Sequence, residues 1–395
     1  MKRAAAALAL LVLAACGPGK AGAPAPPSPS APPARSPTPG PPGPLRLTVQ
    51  TVVGGLTVPW ELAFLPDGTM LVTERTGQVR VIRDGRLLPQ PALTLNVVQA
   101  PGVESGLLGL AVHPGFPNPP FVYLFYTRRG GSGTMSRVSR FTYTDGRLTD
   151  EHVILDGIPG GGCCHFGGRI AFGPDGLLYV AVGDAQVPGR AADRASLNGK
   201  ILRVRDDGTV PAGNPFPGSP VYAWGLRNPE GLAWDDRGHL YASVNGPTGE
   251  FGLFHHDEID LIQPGAFYGW PVWAGLAPAG RPQDYGNPPP RVPPVVESDD
   301  VTWAPSGMAF YRPDSGQQPT LLVAALTGQE LLRFVIDPDQ PGHLLAQQTL
   351  LGGYGRLRDV VAGPDHCLYV LTSNRDGRGR PASDDDRVLR ACPQG

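Results

Sequence analysis

The chain has 395 residues; Gly (54) and Pro (47) make up about a quarter of them, aromatic residues are 8% and charged residues 17%. A composition so rich in helix breakers excludes coiled coils and helical bundles. Lys+Arg 33 against Asp+Glu 35 gives a formal charge of -2, and Lys2, Arg3, Lys20 and Arg35 all precede residue 45, so the rest carries no basic stripe for a nucleic-acid partner.

Residues 1–16 read as an export leader: Lys2 and Arg3 are followed by an apolar run from Ala4 to Ala15 that is too short to span a bilayer. The run ends in Leu13-Ala14-Ala15-Cys16, which resembles the lipobox of bacterial lipoproteins. The expectation is an exported protein, acylated at Cys16 and held to a membrane by lipid alone, facing the periplasm or the cell exterior. Residues 17–44 are almost wholly Pro, Gly, Ala and Ser, with no large apolar side chain until Leu45, the composition of an extended tether. The folded body is expected over 45–395.

Within that body one phrase returns six times: a short apolar run, a Pro-Asp-Gly-like turn, then a second apolar strand. It reads AFLPDGTMLVTE from Ala63, LAVHPGFPNPPFVYLFYT from Leu110, AFGPDGLLYVAVGD from Ala171, LAWDDRGHLYASVNG from Leu232, MAFYRPDSGQQPTLLVAAL from Met308 and VVAGPDHCLYVLTSN from Val360. Asp-Gly supplies the positive φ of tight turns, and runs such as LLYVAV and CLYVLT carry strand formers. A spacing of roughly 47 to 76 residues suits one four-stranded antiparallel sheet per copy. The prediction is an all-β, six-bladed β-propeller whose loops place polar groups around one central pocket.

Disulfides persist in an exported protein. Cys367 and Cys392 fall on what would be neighbouring strands of the last blade, as a staple or as two free buried thiols. Cys163 and Cys164 are adjacent, either both free or joined in a strained ring. Spacing alone does not decide.

The phrases VPWELAFLPDG, ESGLLGLAVHPGF, HFGGRIAFGPDGLLYVAVGD, LNGKILRVRDDGTVPAGNPF, YAWGLRNPEGLAW, DEIDLI, GAFYGWP and RLRDVVAGPD, in this order from about 55 to 375, resemble the soluble quinoprotein glucose dehydrogenase and aldose sugar dehydrogenase family. The resemblance implies pyrroloquinoline quinone (PQQ) across the propeller mouth, Ca²⁺ beneath it, and oxidation of the anomeric carbon of an aldose to a lactone, with electrons passed to an external acceptor.

The chemistry of the matched residues agrees with a tricarboxylate cofactor. Guanidinium pairs with carboxylate in planar, bidentate fashion. Arg356 and Arg358, two apart in a strand-like segment, should point to one face, where they repel unless an anion lies between them. Arg227-Asn228 adds a third cation and an amide. By resemblance Glu104, Asn245 and Thr302 also contact the cofactor. The carbonyls of Gly246 and Pro247 would hold the cofactor-side Ca²⁺, and those of Glu258 and Tyr268 a second, structural ion. His165 matches the family's base: it would take the proton of the C1 hydroxyl while hydride leaves C1 for the quinone C5 carbonyl, Ca²⁺ and Arg227 stabilising the charge on the quinone oxygen. His113, His255, His256 and His366 read as structural.

Three positions depart from the family pattern: Glu104 where Gln is frequent, Cys164 where an Asp stands beside the base, and Thr327 where a cofactor-binding Lys is common. The last removes a cation from the cradle; the first two border the substrate pocket, so a relative's preferred sugar does not transfer. Two other classes use a Ca²⁺-bearing six-bladed ring, hydrolases of lactones or phosphoesters and non-catalytic extracellular binding modules. Three arginines speak against a neutral lactone, and His165 against a mere binding module.

Overall fold

The computed structural model describes residues 43–131, 133–313 and 318–394. The leader, Cys16 and the tether up to residue 42 lie outside the described residues. No helix among those described is long and apolar enough to cross a membrane.

Each of the six phrases forms the first two strands of an antiparallel sheet. The first strands are Pro59–Phe64, Leu107–Val112, Ile170–Phe172, Pro229–Trp234, Pro305–Tyr311 and Leu357–Ala362, in blades 1 to 6. They touch one another in sequence, except that the blade 4 strand meets the second strand of blade 3, and the sixth touches the first, so the sheets close into a ring. Five of the second strands, among them Leu178–Val182, Leu240–Val244 and Leu368–Thr372, are buried along their whole length. Both faces of a blade pack on neighbouring blades, and the strands accordingly read as continuous apolar runs rather than alternating ones. Between blades 2 and 3 this core sets Tyr123, Phe125 and Val138 against Ile170, Val180 and Leu202.

The turn between first and second strands has one chemistry in four blades. Asp67, Asp175, Asp235 and Asp365 each turn an Oδ1 back to accept a backbone N–H two residues on, the local bond that makes Asp a turn residue. A left-handed residue follows: Gly68, Gly176 and His366 stand directly after the Asp at φ 82°, 73° and 58°, and in blade 4 Gly238 stands three residues after it at φ 86°.

Blade 6 is completed from both ends of the body. Leu47–Val53 pairs antiparallel with Val388–Pro393, which pairs in turn with Leu368–Thr372. A Cys367–Cys392 disulfide crosses the same blade. Of the alternatives left open by the sequence, the stapled one is formed here; Cys163 and Cys164 are likewise bonded to each other.

Candidate active site

A hairpin starts and finishes at the same edge, so residues entering the first strands and residues leaving the second strands gather at one end of the ring. A pocket of about 220 Å³ opens there. Entry segments contribute Glu104 (blade 2), Cys164 and His165 (blade 3), Arg227 and Asn228 (blade 4), Thr302 (blade 5), and Arg356 and Arg358 (blade 6). Exits from second strands contribute Asn245, Gly246 and Thr248, then Thr327, then Arg378.

His165 is buried at positive φ (62°) in the segment leading into the blade 3 strand Ile170–Phe172. Its Nδ1 lies 2.7 Å from Asp184 Oδ1. Asp184 also accepts Gln186 N at 2.8 Å and Trp270 Nε1 at 2.7 Å. Such a carboxylate is an acceptor, so the imidazole proton belongs on Nδ1 and Nε2 is left as the basic nitrogen facing the pocket. Asp184 leaves the second strand of the third phrase; the hairpin rule applied to that phrase was the signal that could have found it.

Beside the base, Gln186 Oε1 accepts the N–H groups of Cys163 and Cys164 at 3.1 and 3.3 Å. Cys163 O accepts Glu104 N at 2.7 Å, and Glu104 Oε2 accepts His165 N at 2.8 Å. Arg378 closes the circuit, donating from Nη1 to Glu104 Oε1 at 2.9 Å and from Nη2 to Cys164 Sγ at 3.4 Å. Of the two departures, Glu104 thus holds the backbone N–H of the base, and Cys164 is itself held beside it by Gln186 and Arg378. At the third, Thr327 leaves its wall without a side-chain cation, and Arg378, which no motif pointed to, brings a fourth guanidinium to the pocket.

Arg356 and Arg358 both line the pocket, although the strand is irregular between Leu357 and Asp359. The expectation that they need an anion between them is corrected: each has a carboxylate of its own. Arg356 Nε donates to Asp376 Oδ2 at 2.8 Å and Arg358 Nη1 to Glu230 Oε2 at 2.6 Å, all four side chains being buried. Burial lowers the Arg356 pKa, with Asp376 opposing. Arg227 Nε and Nη2 donate to Glu250 Oε1 at 3.1 and 2.5 Å, and Nη1 to Asn245 O at 3.1 Å. Burial raises the Glu250 carboxyl, but Arg227 and the Thr248 N–H outweigh it and hold it below the ordinary range. Glu230, Glu250 and Asp376 escaped the sequence reading because nothing local marks a carboxylate as the partner of a distant arginine.

Asp257 bends the neighbouring loop, Oδ1 accepting Gly246 N at 2.8 Å and Oδ2 accepting Trp303 N and Ala304 N at 2.7 and 2.9 Å. Pro247 and Glu258 lie below the pocket around a void of about 10 Å³ shared with Asn245, Gly246 and Trp270. Tyr268 lines neither space; its hydroxyl donates to Leu261 O at 2.8 Å and accepts Gln263 N at 2.7 Å. Thr302 Oγ1 is engaged with His255 Nδ1 at 2.6 Å.

These residues fit an anionic planar cofactor with a hard cation. Arg358 Nε is buried with no partner among the described residues, a donor awaiting an acceptor. The carbonyls of Gly246 and Pro247 accept no hydrogen bond from the described residues, and no group of three or more His, Cys, Asp or Glu side chains there is poised for a metal. A cation in this loop would therefore rely on carbonyl oxygens, which suits Ca²⁺.

Ring, oriented imidazole and clustered guanidiniums, with Arg358 Nε still unpartnered among the described residues, make a propeller site that offers donors to an anionic ligand beside a base. The glucose / sorbosone dehydrogenase family profile matches residues 56–381. Aldose sugar dehydrogenase YliI of Escherichia coli is 32% identical over 85% of this chain and 92% of its own. Quinoprotein glucose dehydrogenase B of Acinetobacter calcoaceticus is 29% identical over 86% of this chain and 87% of its own. The PQQ-bound aldose sugar dehydrogenase of Streptomyces coelicolor superposes with a TM-score of 0.76 at 36% identity, covering 89% of this chain and 99% of that one. The chain belongs to the glucose/sorbosone dehydrogenase family, and is an oxidoreductase of the sugar dehydrogenase class.

Proposed function

We propose that this protein oxidises aldose sugars at C1 to the lactone with PQQ and Ca²⁺, passing electrons to an external acceptor on the outer side of the membrane to which the Cys16 lipid holds it. The observation that carries the reading is an acceptor nitrogen, His165 Nε2, facing the same pocket as Arg227, Arg356 and Arg358. Bound PQQ supplies the acceptor for two electrons and hydrogen. His165 takes the proton of the C1 hydroxyl, and Asp184 keeps the ring oriented and stabilises the imidazolium that results. Arg356, Arg358 and Arg227 clamp the carboxylates and the electron-rich oxygen of the cofactor, with Glu104, Asn228, Asn245 and Thr302 around them. The carbonyls of Gly246 and Pro247 hold the Ca²⁺, and Glu258 and Tyr268 belong to a second ion. Arg378, whose charge Glu104 balances, adds donors to a cradle that lacks a cation at Thr327.

The test is reconstitution. Membrane and soluble fractions from cells expressing the full chain are given PQQ and Ca²⁺, and aldose-dependent dye reduction is followed. Activity should appear in the membrane fraction, require PQQ and fall when Ca²⁺ is chelated. Protein that binds no PQQ would overturn the reading.

A further inference from the structure

Glu250 belongs to no recognised phrase, yet it sits against two residues that line the pocket, Arg227 and His165. Its loop leaves the Leu240–Val244 strand and returns at Glu258–Ile262. The loop is closed on itself: Gly249 N donates to Leu253 O at 2.8 Å, and Thr248 N donates to Glu250 Oε2 at 2.7 Å. The Phe251 ring meets the Trp270 ring edge-on at 5.5 Å, and Trp270 is the residue that donates to Asp184. The loop is thereby tied to the support of the base.

This folding turns Glu250 Oε1 inward, onto Arg227 and to 3.9 Å from His165 Nε2. That separation is too long for a hydrogen bond. With the imidazole proton on Nδ1, neither atom has a proton for the other; Nε2 is an open acceptor, and the Glu250 carboxylate, already taking two Arg227 N–H groups and the Thr248 N–H, keeps one of its about four acceptor sites. A lone hydroxyl satisfies only one of them. A vicinal diol can satisfy both, because each of its neighbouring oxygens carries a hydrogen and the two O–H bonds can diverge toward acceptors 3.9 Å apart.

We propose that Glu250 is a specificity-determining residue, accepting a hydrogen bond from the hydroxyl adjacent to the one held by His165, so that the preferred substrates are aldoses with a free hydroxyl at C2. The proposal rests on the dehydrogenase reading above, since it assigns the His165 hydroxyl to C1. Arg227 fixes the carboxylate in place, and the C2 hydroxyl is held without taking part in the chemistry.

The experiment compares glucose with 2-deoxyglucose in the PQQ-loaded wild type, Glu250→Ala and Glu250→Gln. A hydrogen bond to a charged acceptor contributes about 1.5–3 kcal/mol, so wild type should favour glucose by about 10- to 150-fold in kcat/KM. In Glu250→Ala the ratio should fall toward one, chiefly through loss on glucose, and Glu250→Gln, which keeps an acceptor oxygen, should lie between. Calorimetric titration of both sugars reads binding apart from turnover and should show the same loss of discrimination. A purely structural Glu250 would lower both sugars alike; an unchanged ratio in Glu250→Ala, or no preference in wild type, overturns the proposal while sugar oxidation itself persists. Wild type that oxidises no aldose at all overturns the dehydrogenase reading, and this proposal with it.

Discussion

His165 and the arginines hold different things, so their variants should fail differently. Removing a general base costs about 10²- to 10⁴-fold in rate without disturbing a cofactor held elsewhere. His165→Gln should therefore keep the wild-type PQQ concentration for half-activation and lose kcat. Arg358→Ala should need far more PQQ, and the structure adds a second effect, because it strands Glu230 as a buried unpaired carboxylate. Breaking such a pair costs about 3–5 kcal/mol of stability. Arg358→Ala with Glu230→Gln should recover much of the Tm and keep the high PQQ requirement, so melting and PQQ titration together separate clamp from fold. If the double variant regained wild-type PQQ affinity, Arg358 would not be a clamp.

At the scale of elements, each blade is a repeated hairpin whose turn is decided by local chemistry, which is why the phrases were legible one at a time. Blade 6 differs, since its outer strand Leu47–Val53 comes from the other end of the folded body. Nothing in Leu47–Val53 announces that partner: it is a short strand with mixed burial. The Cys367–Cys392 bond spans 25 residues within that blade, and loop-closure entropy for this length amounts to about 3.5 kcal/mol. Replacing both cysteines with Ala should lower the melting temperature by several degrees and leave the PQQ requirement near wild type, because neither cysteine lines the pocket. An unchanged Tm would mean that the blade is held by its hydrogen bonds and packing alone.

At the scale of the whole molecule, the ring closes around a buried charge network beneath the pocket. Arg169 Nη1 reaches Glu61 at 2.9 Å and Asp359 at 3.0 Å, joining blades 3, 1 and 6, and its guanidinium lies 4.4 Å from the Trp60 ring centroid. Burial, reinforced by Asp359 and opposed by Arg169, pushes Glu61 up to about 8. A carboxyl raised in the fold contributes stability that is complete below its ordinary range and lost as pH rises through about 8. Glutamine does not titrate. The Tm of Glu61→Gln relative to wild type should therefore climb between pH 5 and 8.5, by an amount equivalent to at most about 1.4 kcal/mol per pH unit; a difference that stays flat with pH would show that Glu61 is ionised throughout.

Read alone, the amino-acid sequence determined the six hairpins, their Asp-Gly turns and the six-bladed class, because apolar runs and left-handed turn positions act over a few residues. It also singled out most of the pocket: His165, Arg227, Asn228, Asn245, Thr302, Arg356 and Arg358 lie at the starts and ends of those hairpins. Only the tertiary structure decided what neutralises them. Glu230 meets Arg358 across 128 positions and Glu104 meets Arg378 across 274, while Glu250 reaches Arg227 through a folded loop. Such pairings depend on where a closed ring brings distant loops together, and charge acts through space rather than along the chain.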